Sequence, residues 1–435
     1  MNNRSFHVAN FGCRASQSEG AAIEEELRTS HAQSAASPYE AGVVLINSCT
    51  VTDEADREVP QLIRRIASRN PDAQIIVTGC YAQRAPEEVA DLPHVRYVVG
   101  NSHKALAGSL MLGVLHDEND EFDPEGRAEV FCSSIFLQTE LRPGAHHGSG
   151  GRTRAIVKVQ DGCNANCSFC IIPSVRGRSR SMEAAVIVEE VRELVERGYK
   201  EVVFSGIHLG TYGRDLEVRT SLFDLICRTL EEIPELERLR LSSIEPLEVA
   251  PEIIELVATH PRLARHFHIP LQSGSRGILR AMRRPYTPEH YEDLLQRIRS
   301  LVETAAIGAD VMVGFPGETD DDFSRTYRLI EESPLTYLHV FPYSPRPGTA
   351  AAEMRNPVPA RVSQFRAKAL RALIARKNQA FRQSMVDRNL EVLVLRPEEA
   401  LSSNFIRVRV PADLKTNNWT PVTVTGLTED GVAAL

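Results

Sequence analysis

A run of three cysteines is the feature that most limits what this chain can fold into. Cys163, Cys167 and Cys170, here called the loop cysteines, follow a C-x3-C-x2-C spacing within one short stretch. Three neighbouring thiolates can hold three irons of a four-iron cluster, and the fourth iron then stays free to bind another molecule. A structural zinc site or a complete cluster usually has four protein ligands, but no further cysteine or histidine follows nearby. The ligand count therefore favours an iron–sulfur site with one open iron over a zinc site or buried thiols.

Three more cysteines each follow a predicted strand in the first hundred residues. The strands are predicted at 6–10, 42–47 and 74–78, and they alternate with helical stretches. This order indicates a parallel sheet with helices on its faces. Cys13, Cys49 and Cys80, here called the sheet cysteines, come just after the three strand ends, which meet at one edge of such a sheet. A single cysteine after a strand is more often a buried apolar residue, but the repetition predicts a second three-thiolate site.

The middle of the chain, 153–344, repeats a strand followed by a helix about six times. The six strands are predicted at 155–160, 201–205, 239–242, 266–270, 307–313 and 337–341. We expect a partly closed relative of the β/α barrel, with its active site at the carboxyl ends of the strands. The loop cysteines follow the first strand, and turns containing glycine or polar residues follow the next four. Such turns are common, so each is weak support alone, but together they predict a polar rim around the cysteines.

Composition limits the class of protein further. The sequence has 42% hydrophobic residues and no apolar run near the ~18 residues that a membrane span needs. Residues 1–7 lack the apolar segment of a secretory signal, so we expect a cytoplasmic protein without a membrane partner. The net charge of −8 argues against a protein that coats nucleic acid indiscriminately. Cys132 and Cys227 have no partner spacing and are interpreted as packing residues.

The loop cysteines, with Phe169 before the last of them, resemble the signature of radical S-adenosylmethionine enzymes. Together with the sheet cysteines they resemble the methylthiotransferases, a family with an added amino-terminal domain, over nearly the whole chain. Segments 47–52 and 240–246 are most similar to the MtaB branch, which modifies threonylcarbamoyladenosine beside the tRNA anticodon. Ser16 and Ser48 depart from the family pattern, which usually has Asn and Thr there, but neither change removes a ligand.

The resemblance implies two 4Fe–4S clusters, one on each cysteine set, and S-adenosylmethionine as a cofactor. The loop cluster would cleave S-adenosylmethionine to a radical, and the sheet cluster would carry the sulfur that is methylated and inserted into the base. The implied cofactor-binding residues are Gly206, Ser243, Gln272, Gly314 and Arg176. The implied domains are an α/β methylthiotransferase domain (1–115), a linker (116–151), a partial six-unit barrel (152–380) and a small antiparallel β-barrel similar to the TRAM domain (381–435).

The carboxyl-terminal region carries the sequence features that point to RNA. A predicted helix at 361–388 has one apolar face and eight basic residues against one acid, a plausible surface for phosphates. The TRAM-like segment is not basic, and its Phe405 and Trp419 are predicted either to stack on bases or to pack in a core. Expected partners are the tRNA anticodon stem-loop, a sulfur donor and an electron donor such as flavodoxin or ferredoxin.

Three alternatives stay open at this point. The same chemistry on isopentenyladenosine in tRNA, or on an aspartate of a ribosomal protein, would use the same cysteines. A non-catalytic iron–sulfur sensor or RNA-binding protein would use the cysteines without S-adenosylmethionine, so its polar rim would have no ligand to hold.

Overall fold

The computed structural model describes residues 4–117, 122–138, 141 and 153–435. Its amino-terminal domain is built on a six-stranded sheet. The strands are β1 (Ser5–Asn10), β2 (Gln33–Ser34), β3 (Val43–Ser48), β4 (Gln74–Gly79), β5 (Val95–Gly100) and β6 (Glu129–Phe131). They lie in the order β2-β1-β3-β4-β5-β6, and every neighbouring pair is parallel. Strand β3 is buried at every position, as expected of a parallel strand covered on both faces.

Helices cover both faces of this sheet and form two apolar layers with it. They are α1 (Arg14–Thr29), α2 (Asp53–Arg69), α3 (Cys80–Arg84), α4 (Pro86–Ala90) and α5 (Ala107–His116). Helix α2 begins where Thr52 Oγ1 accepts a hydrogen bond from the Ala55 amide at 3.2 Å. Acidic residues in the first turn add a favourable interaction with the helix dipole. The start of α2 is therefore fixed close to Cys49.

Strand β6 lies inside the segment predicted as a linker. It pairs with β5 in parallel, and the Phe131 ring contacts the Tyr97 ring edge-on at 5.9 Å. Three residues are too few to show a strand pattern in the sequence, so this pairing could not be predicted. The predicted linker therefore contributes one strand to the amino-terminal sheet.

The central domain contains the six predicted parallel strands and one short antiparallel strand. Its strands are β7 (Arg154–Asp161), β8 (Arg180–Ser181), β9 (Glu201–Gly206), β10 (Arg238–Leu241), β11 (His266–His268), β12 (Ala306–Val313) and β13 (Tyr337–Pro342). Its helices are α6 (Ile172–Arg176), α7 (Ala184–Glu196), α8 (Leu222–Glu232), α9 (Pro251–Thr259), α10 (Arg276–Ala281), α11 (Pro288–Leu301) and α12 (Asp320–Glu332). The sheets β10-β9-β7 and β11-β12-β13 are joined by isolated bridges, one of them between Ser243 and His268.

The barrel is only partly closed. Strands β7 and β13 do not pair with each other within the described ranges. Helix α1 of the amino-terminal domain packs beside β7, where Ser18 Oγ donates a hydrogen bond to the Ile156 carbonyl at 3.3 Å. The amino-terminal domain thus supplies part of the wall of the central barrel.

The carboxyl-terminal region is one long helix followed by a closed five-stranded barrel. The elements are α13 (Ala360–Gln383), β14 (Asn389–Arg396), β15 (Glu399–Ser402), β16 (Arg407–Arg409), β17 (Trp419–Leu427) and β18 (Val432–Ala434). The barrel order is β14-β15-β16-β18-β17, and only the β16–β18 pair is parallel. The sequence predicts a small antiparallel barrel here, but not the short strands β15 and β18. In the described part of the chain, no helix is long and apolar enough to cross a membrane.

Candidate functional site

The loop that carries the loop cysteines leaves β7 through a sharp turn at Gly162. This glycine has a φ of 70°, and a Cβ here would lie 1.9 Å from the Arg178 carbonyl oxygen. The Asp161 carboxylate accepts a hydrogen bond from the Gly162 amide at 2.8 Å. Only glycine combines this backbone conformation with so close a neighbour. The direction of the cysteine loop is therefore set by the backbone immediately after β7.

Charged and polar side chains contact the sulfurs of the loop cysteines. His208 Nδ1 lies 3.5 Å from Cys163 Sγ, and Arg284 Nη1 donates to Cys167 Sγ at 3.4 Å. Arg284 also forms an ion pair with Glu245. Burial raises the pKa of the Cys170 thiol to about 12, and the other loop cysteines add to the shift. Buried thiols need a positive charge nearby to become thiolates. A bound metal supplies this charge, and the guanidinium of Arg284 adds to it.

The structure brings the sheet cysteines together at the carboxyl edge of the amino-terminal sheet. A Cβ on Gly12 would lie 2.8 Å from Cys49 Cβ, so the backbone beside Cys13 touches Cys49. Burial raises the pKa of Cys49 to about 11, and the nearby Cys80 and Cys13 thiols add to this shift. Asn101 Nδ2 lies 3.5 Å from Cys80 Sγ. Three separate strand ends thus form one group of thiols.

The spacing of both cysteine sets fits a cluster better than a single metal ion. Among the described residues, only His268, Asp310 and His339 place three ligand atoms within 4.8 Å of one another. Three sulfurs on one zinc ion lie about 3.8 Å apart, given the usual bond length and tetrahedral geometry. A four-iron cluster holds its three thiolates on separate irons and therefore farther apart. Each set has three thiols, which would leave one iron without a protein ligand.

The two cysteine sets lie on opposite sides of one apolar contact. Cys80 packs against Ile171 and Val175 in a small buried cluster. Asn101 also donates a hydrogen bond to the Val175 carbonyl at 2.8 Å. Because Ile171 directly follows Cys170 in the chain, the same wall borders both sets. The geometry therefore places the two sets next to each other across the domain boundary.

Arg176 is buried between the domains. Its Nη1 donates to the carboxylates of Glu19 at 2.9 Å and Asp161 at 3.0 Å, and its Nη2 donates to Ser16 Oγ at 3.2 Å. Only 1% of Arg176 is exposed. The resemblance implied that Arg176 binds a cofactor, but the structure gives both of its terminal nitrogens protein partners. Arg176 joins the two domains beside the sheet cysteines.

Two lysines complete this charged network. Lys158 Nζ lies 2.8 Å from Glu19 Oε1, and Lys104 forms a second ion pair with Glu19. Burial alone would raise the pKa of Glu19, but Arg176 and the two lysines outweigh it and hold the pKa well below its usual range. The same balance lowers the pKa of Asp161 to about 2. Two buried carboxylates are therefore ionised and held by three cations.

The four other predicted cofactor-binding residues lie at strand exits in different environments. A Cβ on Gly206 would lie 2.9 Å from Gln160 Oε1, and one on Gly314 would lie 1.9 Å from Ser363 Oγ. Ser243 is exposed, whereas Gln272 is half-buried with a φ of 61°. The glycines let neighbouring groups approach the backbone closely, and the other two present polar side chains. Their contact with S-adenosylmethionine stays a prediction.

Sequence reasoning assigned no role to His208, Glu245 or Arg284, which surround the loop cysteines. The first two lie in strand-exit turns that the sequence singles out, so their positions carried a signal. Arg284 lies between α10 and α11, in a stretch without any motif. Its contact with Cys167 depends on the packing of the whole barrel, so no local pattern could have identified it.

A hydrogen-bonded group of polar side chains lines the inside of the barrel on β11, β12 and β13. His268 Nε2 and His339 Nδ1 each lie 3.1 Å from Asp310 Oδ1. Tyr337 Oη lies 3.0 Å from His268 Nδ1 and 2.7 Å from His266 Nε2. Burial opposes ionisation of Asp310, but the two histidines hold its pKa below the usual range. The sequence gave no signal for this group, because it forms across three strands.

The basic helix α13 is less available to phosphates than its sequence suggests. Arg366 is buried and forms an ion pair with Glu318 at 2.6 Å. Arg371, Lys377 and Arg382 donate to backbone carbonyls. Arg388, beyond the end of the helix, pairs with Glu303 at 2.8 Å. Five of the eight predicted basic side chains therefore have protein partners.

Phe405 and Trp419 both lie at the contact between the carboxyl-terminal barrel and the central barrel. The Phe405 ring lies 4.7 Å from the His266 ring, measured between centroids. The Arg238 guanidinium lies 4.3 Å from the Trp419 ring centroid. Of the two roles predicted for these aromatics, the structure favours packing, because both rings already have protein partners.

Two family models match the chain. The Radical SAM superfamily matches residues 157–330, which cover the loop cysteines and most of the central barrel. The uncharacterized protein family UPF0004 matches residues 5–100, which contain all three sheet cysteines. The matched ranges follow the two domains that meet at α6.

Curated relatives match most of the chain. A protein from Bacillus subtilis named threonylcarbamoyladenosine tRNA methylthiotransferase MtaB is 37% identical over 91% of this chain and 84% of its own length. A protein of the same name from Aquifex aeolicus is 36% identical over 92% of this chain and 94% of its own. A Corynebacterium urealyticum protein named tRNA-2-methylthio-N(6)-dimethylallyladenosine synthase is 34% identical over 90% of this chain and 72% of its own.

Solved structures share the fold at low sequence identity. The radical S-adenosylmethionine methyltransferase TsrM from Kitasatospora setae has a TM-score of 0.57 at 15% identity, covering 80% of this chain and 77% of its own. The cobalamin-dependent S-adenosylmethionine radical enzyme OxsB has a TM-score of 0.51 at 11% identity, covering 86% of this chain and 56% of its own. At these identities the likeness concerns the fold alone.

Proposed function

The chain belongs to the radical S-adenosylmethionine methylthiotransferase family, and we propose that it adds a methylthio group to threonylcarbamoyladenosine beside the anticodon of tRNA. The proteins named for this activity match the chain at 35–37% identity, slightly above the 33–34% of those named for dimethylallyladenosine. The observation that carries the proposal is the meeting of two three-cysteine sets at one apolar wall. A reaction that needs both a radical and a sulfur source requires two such sites within reach of one substrate.

The cofactors divide between the two cysteine sets. Membership in the family gives the chain S-adenosylmethionine and one 4Fe–4S cluster, which the loop cysteines would hold. A second cluster on the sheet cysteines is part of the proposal. When bound, these groups supply the electron that cleaves S-adenosylmethionine and the sulfur that is transferred.

The protein's own residues position and shield these groups. Arg284 places a positive charge 3.4 Å from Cys167 Sγ and donates a hydrogen bond to it, which orients that ligand. The apolar contact of Cys80 with Ile171 and Val175 keeps water from the wall between the two sites. The Arg176 network holds the two domains in register, so the distance between the sites stays fixed.

The substrate is proposed to be the anticodon stem-loop of tRNA, in the cytoplasm. An electron donor such as flavodoxin or ferredoxin would reduce the loop cluster, and a separate sulfur donor would restore the transferred sulfur. The carboxyl-terminal barrel is proposed to contact RNA through surfaces other than Phe405 and Trp419, because both of these rings pack against the central barrel.

Mass spectrometry of tRNA nucleosides tests the proposed substrate. Cells that lack this protein should lose the 2-methylthio form of threonylcarbamoyladenosine and keep the unmodified precursor. Loss of the methylthio form of isopentenyladenosine instead would identify the other tRNA substrate. An unchanged nucleoside profile would contradict a tRNA substrate altogether.

Two triple variants test the assignment of the cofactors. Replacing the sheet cysteines by alanine should lower iron from about eight to about four per chain, because each cluster holds four irons. This variant should still cleave S-adenosylmethionine under strong reductant but form no methylthio product. Replacing the loop cysteines should abolish the cleavage itself. Equal iron in the wild type and the sheet-cysteine variant would refute the second cluster, and a wild type without any cleavage would favour a sensor protein.

A further inference from the structure

Within the part of the chain that the structure describes, Arg14 is a cation without a protein partner, close to Arg154, Arg240 and Glu201 of the central barrel. It is the first residue of α1, directly follows Cys13, and α1 packs beside β7. Its side chain is only partly exposed. It forms neither a hydrogen bond nor an ion pair with any residue that the structure describes. A shielded guanidinium in this condition is unfavourable unless an anion binds to it.

The other charged groups around Arg14 leave its charge uncompensated. Arg154 Nε and Arg240 Nε lie 2.6 Å and 2.8 Å from the same carboxylate oxygen of Glu201. The Glu201 carboxylate therefore already balances the charge of two guanidiniums, and its single negative charge cannot also balance that of Arg14. The carboxylate of Asp310, on β12, already accepts hydrogen bonds from His268 and His339.

The space near Arg14 is closed at one end of the barrel and open at the other. Phe405 of the carboxyl-terminal barrel closes the end near the first residues of the strands, where its ring lies 4.7 Å from His266 and 5.3 Å from the Arg240 guanidinium. Toward the carboxyl ends of the strands, 56% of the His339 side chain and 43% of Phe341 are exposed. Alternate residues Leu338 and Val340 pack outward against the helical layer, so His339 and Phe341 face the lumen.

This arrangement suits one part of the proposed substrate. The threonylcarbamoyl group ends in a carboxylate, which is ionised at neutral pH. The dimethylallyl group of the alternative substrate is apolar. A guanidinium pairs with a carboxylate through two parallel hydrogen bonds, whereas an apolar group would leave the cation unpaired. An unpaired buried charge is a strong means of rejecting the wrong ligand.

We propose that Arg14 binds the carboxylate of the threonylcarbamoyl group and thereby selects this adenosine over those with an uncharged N6 substituent. The inference rests on the proposed function, because it concerns the same substrate. It assigns Arg14 to substrate recognition and leaves cleavage of S-adenosylmethionine to the loop cysteines. The helix that begins directly after Cys13 would then also contact the substrate side chain.

Kinetics with paired substrates test this role. The probes are two anticodon stem-loops, one with threonylcarbamoyladenosine and one in which the threonine carboxylate is replaced by a carboxamide. Arg14→Gln should lower kcat/KM for the acid roughly 10- to 100-fold, the range for a lost hydrogen bond to a charged group. The same variant should change kcat/KM for the carboxamide less than about threefold. The carboxamide carries no charge, so neither the wild type nor the variant forms the ion pair with it. Arg14→Lys should recover part of the activity on the acid.

The controls separate recognition from structure. Arg28→Gln changes an arginine at the other end of α1, which is paired with Glu24, and should leave both substrates unaffected. Iron content and deoxyadenosine formation without RNA should match the wild type in Arg14→Gln. An equal loss on acid and carboxamide, or no loss on the acid, would overturn the inference while the wild type remains active on the acid. A wild type that acts only on isopentenyladenosine would instead overturn the proposed function, and the inference with it.

Discussion

The two cysteine sets reach similar arrangements by different structural routes. The loop cysteines lie within eight residues of chain, and one glycine turn after β7 sets their direction. The sheet cysteines come from three strand ends that only the assembled sheet brings together. A site contained in one loop can keep its internal geometry during small shifts of the domain. A site built from three strands requires the whole sheet to be formed correctly.

The direct partners of the sulfurs also differ between the two sets. Arg284 and His208, one cationic and one titratable, contact the loop cysteines. The neutral side chains of Asn101 and Ser16 contact the sheet cysteines at 3.5 Å and 3.7 Å. A cation beside a cluster stabilises its reduced, more negative state, and Arg284 supplies such a charge to the loop cysteines, partly offset by its ion pair with Glu245. The difference suits an electron-transfer role for the loop set and a sulfur-carrying role for the sheet set.

The largest effects should come from the glycines that shape the two sites. A Cβ on Gly79 would lie 2.3 Å from the Ser48 carbonyl oxygen, directly before Cys80. We expect Gly79→Ala to lose the sheet cluster, with about half of the iron and product formation reduced more than about 100-fold, while S-adenosylmethionine is still cleaved. Gly162→Ala should instead abolish cleavage. Iron analysis and deoxyadenosine measurements distinguish the two outcomes.

Gly113 offers the matched control for these variants. It lies inside α5, and a Cβ there would meet no atom within 4 Å. Gly113→Ala should keep both clusters and raise the stability by about 0.5–1 kcal/mol, as expected for alanine in a helix. If Gly79→Ala and Gly162→Ala behave alike, the proposed independence of the two sites is wrong.

The sequence was most informative about features that depend on residues close together in the chain. Both cysteine sets, the parallel sheet and the six strands of the central barrel follow from local patterns, because strand periodicity and ligand spacing are local properties. The partners of Arg176, the contact of Arg284 with Cys167, and the position of Phe405 in the barrel depend on contacts between distant segments. A sequence shows that a residue is charged or aromatic, but only packing decides which residue it meets.

The next effect concerns the interface that keeps the two sites in register. Arg176→Met should leave Glu19 and Asp161 partly uncompensated and destabilise the protein by about 3–5 kcal/mol, the usual cost of breaking a buried ion pair. Urea unfolding measures this change. Product formed per S-adenosylmethionine cleaved should also fall, because the distance between the sites is no longer fixed. The exposed Arg178 gives the control, and Arg178→Met should change stability by no more than about 0.5 kcal/mol.

A smaller effect should be confined to the loop cysteines. Arg284→Gln removes the charged donor to Cys167 and should slow S-adenosylmethionine cleavage roughly 10- to 100-fold, whereas Arg284→Lys should retain part of the rate. Iron bound by the sheet cysteines should not change. Arg280→Gln, an exposed position on α10, serves as the control. Loss of iron from the sheet set in Arg284→Gln would show that the sites are coupled more closely than their separate partners indicate.

The smallest effect is a pH dependence that belongs to the interface and to neither cysteine set. The cations around Asp161 lower its pKa from the ordinary 3.8 to about 2, so the folded state binds the proton less readily than the unfolded state does. The resulting stability, about 2 kcal/mol, is present in full above about pH 5 and is lost as the pH falls through 4 toward 2. Asp161→Asn keeps the acceptor for the Gly162 amide but cannot titrate.

The difference between wild type and Asp161→Asn isolates this contribution. In urea unfolding followed by circular dichroism, the wild type should lose more stability than the variant between pH 5 and pH 3. The acid sensitivity of the clusters is common to both proteins and cancels in the comparison. If the unfolding free energy fell equally with pH in the two proteins, Asp161 would not be held ionised by Arg176 and Lys158. In that case the two domains would be joined mainly by apolar contacts such as that of Cys80 with Val175.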